Sequence, residues 1–224
     1  MSLSPESRVG EIAARHPLAT RVFARHGIDF CCGGGVALAD ACAKREIDPA
    51  GVLQEIEREI TSPGADLATR NWQEAPLGDL VVHIVERYHD PLREELPRLE
   101  AMARRVFRVH GDKDPERLGA LLESFLRLKS ELDEHLHEEE ESLFPSLLLA
   151  AAGQPSQVAS FVDDHTRVGQ ELHRIRELTD DFRVPAEACN TWNALWHGLA
   201  ALETDLHEHI HLENNVLFPR AAAA

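Results

Sequence analysis

The chain has 224 residues and a mass of 25.0 kDa, room for one ordinary domain and a small one but not for three. Its 39 acidic side chains against 23 basic ones give a formal charge of −16, which repels nucleic acid and anionic membrane alike and argues against both as partners. No apolar run reaches membrane-spanning length, and the polar start Met1–Arg8 lacks the basic-then-apolar signature of an export signal. Four cysteines, two of them adjacent, cannot make a disulfide framework, so a reducing, cytoplasmic setting is expected.

In chain order, Val9–His26 reads as helical, with Val9, Ile12, Ala13, Val22 and Phe23 apolar and Gly27 placed to stop it. The loop Ile28-Asp29-Phe30-Cys31-Cys32-Gly33-Gly34-Gly35 follows, then a helical stretch near Val36–Arg45. Asp48-Pro49 predicts an N-cap with proline at the first helical position, opening a helix to about Ile60. Thr61–Pro76, with Ser62-Pro63-Gly64 and few apolar residues, reads as a linker. Residues 1–60 are thus expected to form a small helical domain, 61–76 a linker and 77–224 a second domain.

The second part predicts four long helices: about Leu77–His110, Glu116–Leu149 with Pro145 disturbing its last turns, Ser156–Asp181, and Glu187–Pro219. The turns fall at Gly111–Pro115, Gly153-Gln154-Pro155 and Val184-Pro185. Strand-like alternation is absent. The expected fold is all-α, an up-down-up-down four-helix bundle behind a small N-terminal helical domain. An internal repeat supports it. Leu132-Asp133-Glu134-His135-Leu136-His137-Glu138-Glu139 recurs as Leu206-His207-Glu208-His209-Ile210-His211-Leu212-Glu213, and a weaker match relates His89 onward to His165 onward. Two similar hairpins imply an approximate two-fold axis.

Thirteen histidines are more than a small acidic protein needs structurally, and their placement is informative. Steps of seven keep a helical residue on nearly one face. In the second long helix this gives the columns Leu118, Phe125, Leu132, Glu139 and Leu121, Leu128, His135, Ser142. In the fourth it gives Trp192, Leu199, Leu206, Glu213 and Leu195, Leu202, His209, Val216. The first contributes Val82, His89, Leu96 and the third Val158, His165, Leu172. Four imidazoles and two carboxylates therefore point inward. Residue pairs equidistant from a shared turn lie level, and by that measure all six meet in one layer. Two unpaired carboxylates buried in an apolar core would cost several kcal/mol each, a cost that bound cations remove. Mixed carboxylate and imidazole donors suit iron, manganese or zinc. Hydrogen-bonded core histidines alone would account for one inward imidazole, not for six polar groups at one level.

His-x-x-x-Glu twice on a four-helix bundle, with one further histidine on each remaining helix, resembles the hemerythrin-like di-iron domain. The strings Asp29-Phe30-Cys31-Cys32-Gly33-Gly34, Arg87-Tyr88-His89-Asp90 and Leu212-Glu213-Asn214-Asn215-Val216-Leu217-Phe218-Pro219-Arg220 together resemble the iron–sulfur cluster repair di-iron family, across essentially the whole chain. That resemblance implies two iron ions with oxo and carboxylate bridges, ligated by His89, His135, His165 and His209 with Glu139 and Glu213 bridging. It implies a stress role under nitric oxide or oxidants, with damaged iron–sulfur proteins as partners and nitric oxide or dioxygen as small ligands. Manganese or zinc would fit the same donors. A hemerythrin-like oxygen or nitric oxide sensor or store is the alternative, and a di-iron nitric oxide or peroxide oxidoreductase a third; whether the chain is an enzyme stays open at this level.

Other polar residues are expected elsewhere. His137, His173, His207 and His211 share columns with polar neighbours and should face water, His83 flanks the core, and Glu138, Glu140 and Glu141 read as a solvated acidic patch. His110 lies about 31 Å beyond His89 along a straight helix, too far for the same site. Adjacent Cys31 and Cys32 cannot both bind one ion with relaxed geometry. They are expected to be reactive thiols, left approachable by three glycines and with a lowered pKa if a helix N-terminus near Val36 lies close. Cys42 and Cys189 read as structural cysteines on helices.

Overall fold

The computed structural model describes residues 3–61, 70–149 and 155–223, and every regular element among them is helical. One isolated bridge pairs Arg8 with Ala37. The fold is all-α. No helix among the described residues is long and apolar enough to cross a membrane. In chain order the helices are α1 (Val9–Arg15), α2 (Ala19–Arg25), α3 (Leu38–Ala43), α4 (Pro49–Ile60), α5 (Leu77–Ile84), α6 (Asp90–His110), α7 (Pro115–Glu138), α8 (Phe144–Leu148), α9 (Pro155–Leu178), α10 (Asn190–Leu212) and α11 (Phe218–Ala222). Three single π turns join them: Val85–His89 between α5 and α6, Glu139–Leu143 between α7 and α8, and Glu213–Leu217 between α10 and α11. Of the expected features, residues 62–69 of the linker and Gly153-Gln154 of the second turn lie outside the described residues.

The described residues divide into two compact units. One comprises 3–61, 70–82 and 207–223, the other 83–149 and 155–206. In the first unit, Val9, Ile12, Val22, Phe23, Phe30, Leu38, Val52 and Ile56 form a dry core. The helix expected over Val9–His26 is broken into α1 and α2 because Pro17 bars the α conformation at the residue before it: His16 sits at φ −129°, ψ 80°. Gly27 does end α2, in the left-handed region at φ 62°. The helix expected from Val36 starts only at Leu38, after Val9 and Gly10 have donated to the carbonyls of Val36 and Gly34. Asp48 caps α4 by accepting from the Ala50 amide, with Pro49 first in the helix, as its sequence predicts. At the other end of this unit, Arg220 donates to the carbonyls of Trp72 (2.5 Å) and Ala75 (2.6 Å), so residues 70–76 are tied down rather than trailing.

In the second unit α6, α7, α9 and the first part of α10 make a ring of helix contacts. Leu96, Leu99, Phe125, Leu128, Leu132, Leu172, Ile175, Trp196 and Leu199 are buried between them. Helix α7 packs on α6 and α9. Arg176 of α9 donates to Glu203 of α10. Helices α6 and α10 approach closely at Gly198, where a Cβ would lie 2.5 Å from Leu99 Cδ2. The fourth long helix begins at Asn190, three residues later than expected, and Cys189 therefore precedes it.

The π turns correct the seven-residue columns. Each adds a residue to a turn and so rotates the apolar stripe by about 100°. Val82, expected inside, is 53% exposed, and its neighbour Val81 is buried instead. Ser142, expected to continue the His135 column, is exposed while Leu143 is buried.

Candidate metal centre

The backbone carries the donors at unusual points. His89 is the last residue of the first π turn, and Glu139 and Glu213 are the first residues of the second and third. A proline follows each turn closely, at positions 91, 145 and 219. Proline cannot donate to an i−4 carbonyl and collides with it in a regular helix, and a widened turn just ahead relieves both problems.

All six residues are buried: His89, Glu139 and Glu213 at 0% exposure, His165 and His209 at 1%, His135 at 5%. Their donor atoms converge in two sets. In one, His89, Glu139, His209 and Glu213 each offer an atom within 4.8 Å of the others; in the second, His135, Glu139, His165 and Glu213 do the same. Both glutamates belong to both sets. His135 Nε2 lies 3.3 Å from Glu139 Oε1 and 3.0 Å from His165 Nε2. His89 Nε2 lies 3.5 Å from Glu139 Oε2, and His209 Nε2 2.9 Å from Glu213 Oε1. Donors bound at about 2.0–2.2 Å to one ion stand about 3.0–3.5 Å apart on adjacent coordination positions. The spacing and chemistry of these side chains fit a pair of metal ions. Phe144 stacks on the His89 ring at 5.7 Å and Phe161 tilts against His135 at 5.3 Å, so both rings are held from their outer sides by apolar groups.

An outer carboxylate lies behind each of two histidines. His89 Nδ1 donates to Glu140 Oε1 at 2.7 Å, and Arg93 donates to the same oxygen at 2.5 Å. Glu140, read from sequence as part of a solvated patch, is half-buried. Burial alone would raise its carboxyl pKa, but hydrogen bonds from His89 and Arg93 outweigh that and hold it below the usual carboxylate range. Asp164 lies 3.5 Å from His135 Nδ1. Sequence reasoning missed Glu140, Arg93 and Asp164 because their side chains start on exposed or half-exposed helix positions; position 140, directly after a core glutamate in an acidic run, was the available signal.

The other expectations divide. His137 and His173 are exposed, and His83 is half-buried with its ring edge-on to Tyr88. His110 is not in either donor set; its Nε2 lies 3.3 Å from Cys189 Sγ and its ring 4.8 Å from Trp192. His211, expected in water, is buried: its column is exposed at His197 and Thr204, but Phe30 covers His211 itself, ring edge to ring at 5.6 Å. Burial first, opposed by backbone hydrogen bonds to Phe30 and Ala13, brings its pKa down to about 4. His207 is half-buried, also edge-on to Phe30.

The Cys31–Cys32 loop lies in the first unit. Asp29 accepts from the amides of Cys31, Cys32 and Gly33, folding the loop around one carboxylate. Asn215 Nδ2 donates to the carbonyls of Phe30 and Cys31, both at 3.2 Å. Cys31 is buried and Cys32 half-exposed, with Sγ atoms 3.8 Å apart. The lowered thiol pKa expected from a nearby helix N-terminus is not found at Cys31. The Cys32 thiol, burial and the Asp29 charge push it well up, and α3 begins only at Leu38. Cys42 is buried, whereas Cys189 is exposed.

Comparison with known proteins returns two families. Residues 80–221 match the Hemerythrin HHE cation binding domain, and residues 5–59 match a domain of unknown function, DUF542. An iron-sulfur cluster repair protein YtfE from Musicola paradisiaca is 42% identical over 219 residues, 96% of each chain. Proteins of the same name from Yersinia pseudotuberculosis and Yersinia pestis are 42% and 41% identical over 216 residues, 95% of each chain.

Proposed function

Because the chain belongs to the iron–sulfur cluster repair family with a hemerythrin HHE cation-binding domain, we propose that it holds two iron ions and supports repair of iron–sulfur clusters damaged by nitric oxide or oxidants. His89 and His209 would hold one ion and His135 and His165 the other, with Glu139 and Glu213 available to both. The observation that carries this reading is the sharing of both buried glutamates between the two donor sets. A carboxylate with two oxygens can serve two ions at once, and the two negative charges compensate part of the cationic charge inside an apolar bundle. When bound, the iron pair supplies exchangeable metal and coordination positions for nitric oxide or dioxygen. The protein's own groups hold the imidazoles, with Phe144 packed on His89 and Phe161 on His135.

Residues 1–60 act as the cysteine-bearing domain, 61–76 as the linker and 77–224 as the di-iron domain, working in the cytoplasm on damaged iron–sulfur proteins. Of the two thiols of this scheme, Cys31 and Cys32, half-exposed Cys32 is the first to meet a partner. The test is rescue of a cluster-damaged dehydratase by the full chain. Iron-loaded protein carrying about two irons restores its activity, and metal-free protein does not. Reversible ligand spectra without rescue would support the sensor or store instead, and steady consumption of nitric oxide with an electron donor would support the oxidoreductase.

A further inference from the structure

We propose that Glu140, braced by Arg93, is a positioning residue that fixes the His89 ring and sets how tightly one of the two ions is held. The inference rests on the ligation by His89 proposed above. A neutral imidazole carries one proton on two nitrogens, and a metal takes the nitrogen without it. The 2.7 Å contact from Nδ1 to Glu140 places the proton on Nδ1, because a carboxylate can only accept. Nε2 is left with its lone pair toward Glu139, 3.5 Å away. Rotation of the ring would break the Glu140 bond and collide with Phe144, stacked at 5.7 Å.

Glu140 is itself fixed. Arg93 donates one nitrogen to Glu140 and another to Asp90, at 2.5 and 3.0 Å, so the carboxylate cannot swing out to water without breaking an ionic hydrogen bond. A ligand histidine backed by an anion is also the more basic ligand. The matching carboxylate behind His135 is Asp164, and its contact at 3.5 Å is beyond hydrogen-bond length. Asp164 also accepts from Arg167. The two outer carboxylates are therefore unequal, and His89 belongs to only one donor set, the one with His209. Loss of Glu140 should loosen the ion of that set and spare the other.

The experiment follows iron release from the full-length, iron-loaded protein to a ferrous chelator, read by absorbance, with total iron measured alongside. In Glu140→Gln one equivalent leaves about 10-fold faster or more, within the range seen for outer-shell ligand partners, and the other is unchanged within about twofold. Arg93→Gln, which leaves Glu140 in place, speeds the same phase by a smaller factor and serves if the first variant folds poorly. Metal-free Glu140→Gln melts like metal-free wild type, which separates positioning from general loosening. Unchanged release in both variants overturns the proposal, and so does equal acceleration of both equivalents. A wild-type chain that binds no iron pair would instead strike at the function proposed above.

Discussion

At the scale of single residues, chemistry is decided by what covers a side chain as much as by what it is. Cys31 and Cys32 are neighbours with the same thiol, yet one is buried, with its Sγ against Asp29, and the other half-exposed. The Cys31 pKa is raised by the hydrogen-bonded Cys32 thiol, then by burial and by the Asp29 charge. The neutral thiol is thus favoured in the folded state, and any stability it contributes is present below the ordinary thiol range and is lost as the pH climbs through its raised value. Only the thiolate attacks an alkylating agent. Brief treatment with iodoacetamide near pH 8 should therefore label Cys32 and exposed Cys189 first and leave Cys31 and Cys42 protected, as read by peptide mass spectrometry. Cys31 labelling should appear only as the pH is taken well above the ordinary thiol range. Equal labelling of Cys31 and Cys32 at pH 8 would contradict this account.

At the scale of elements, the three π turns beside the donors reset which residues beyond them face the core. A helix that kept its regular pitch past Glu139 would leave Ser142 on the inner stripe and carry Leu143 away from it. The observed turn does the reverse. Removing one residue from it should restore a regular pitch and rotate everything beyond by about 100°. Deletion of exposed Glu141 is accordingly expected to drive Phe144 and Leu147, both buried, off the core face and to lower stability by about 2–4 kcal/mol. The measurement is denaturant unfolding of the metal-free chain. Substitution of Glu141 by alanine, which keeps the residue count, should change stability by less than about 0.5 kcal/mol. Similar values for deletion and substitution would mean that the turn does no such work.

At the scale of the whole molecule, long-range contacts inside the first unit join positions about 180 residues apart. Asn215 holds the carbonyls of Phe30 and Cys31, and His211 Nδ1 lies 3.3 Å from the Phe30 carbonyl. Gly10 permits this: a Cβ there would sit 2.2 Å from Asn215 Oδ1, so only glycine lets α1 come so near. Asn215→Ala removes the contact to His211 Nδ1 and leaves the Phe30 and Cys31 carbonyls without that donor, a loss of about 1–3 kcal/mol in local closure. Cys31 alkylation is then expected to accelerate about tenfold while Cys42, elsewhere in the same core, stays protected. An unchanged Cys31 rate would show that the loop is closed by its own Asp29 bonds alone.

Helical class, the cap at Asp48, the stop at Gly27 and the burial of both His-x-x-x-Glu pairs were all legible in the chain, because each depends on near neighbours or on a period of about one turn. The columns failed at Val82 and Ser142, since a π turn changes that period and its hydrogen bonds leave only a proline a few residues on as a trace. Tertiary structure alone decided that His211 is buried although its column is polar, that Glu140 backs His89 instead of facing water, and that the Cys31 carbonyl meets Asn215. In each case the deciding partner is remote in sequence: Phe30 for His211, His89 for Glu140, Asn215 for the Cys31 carbonyl. Periodicity reports which face of a helix is turned inward; it carries no information about which distant group arrives to cover the face turned out.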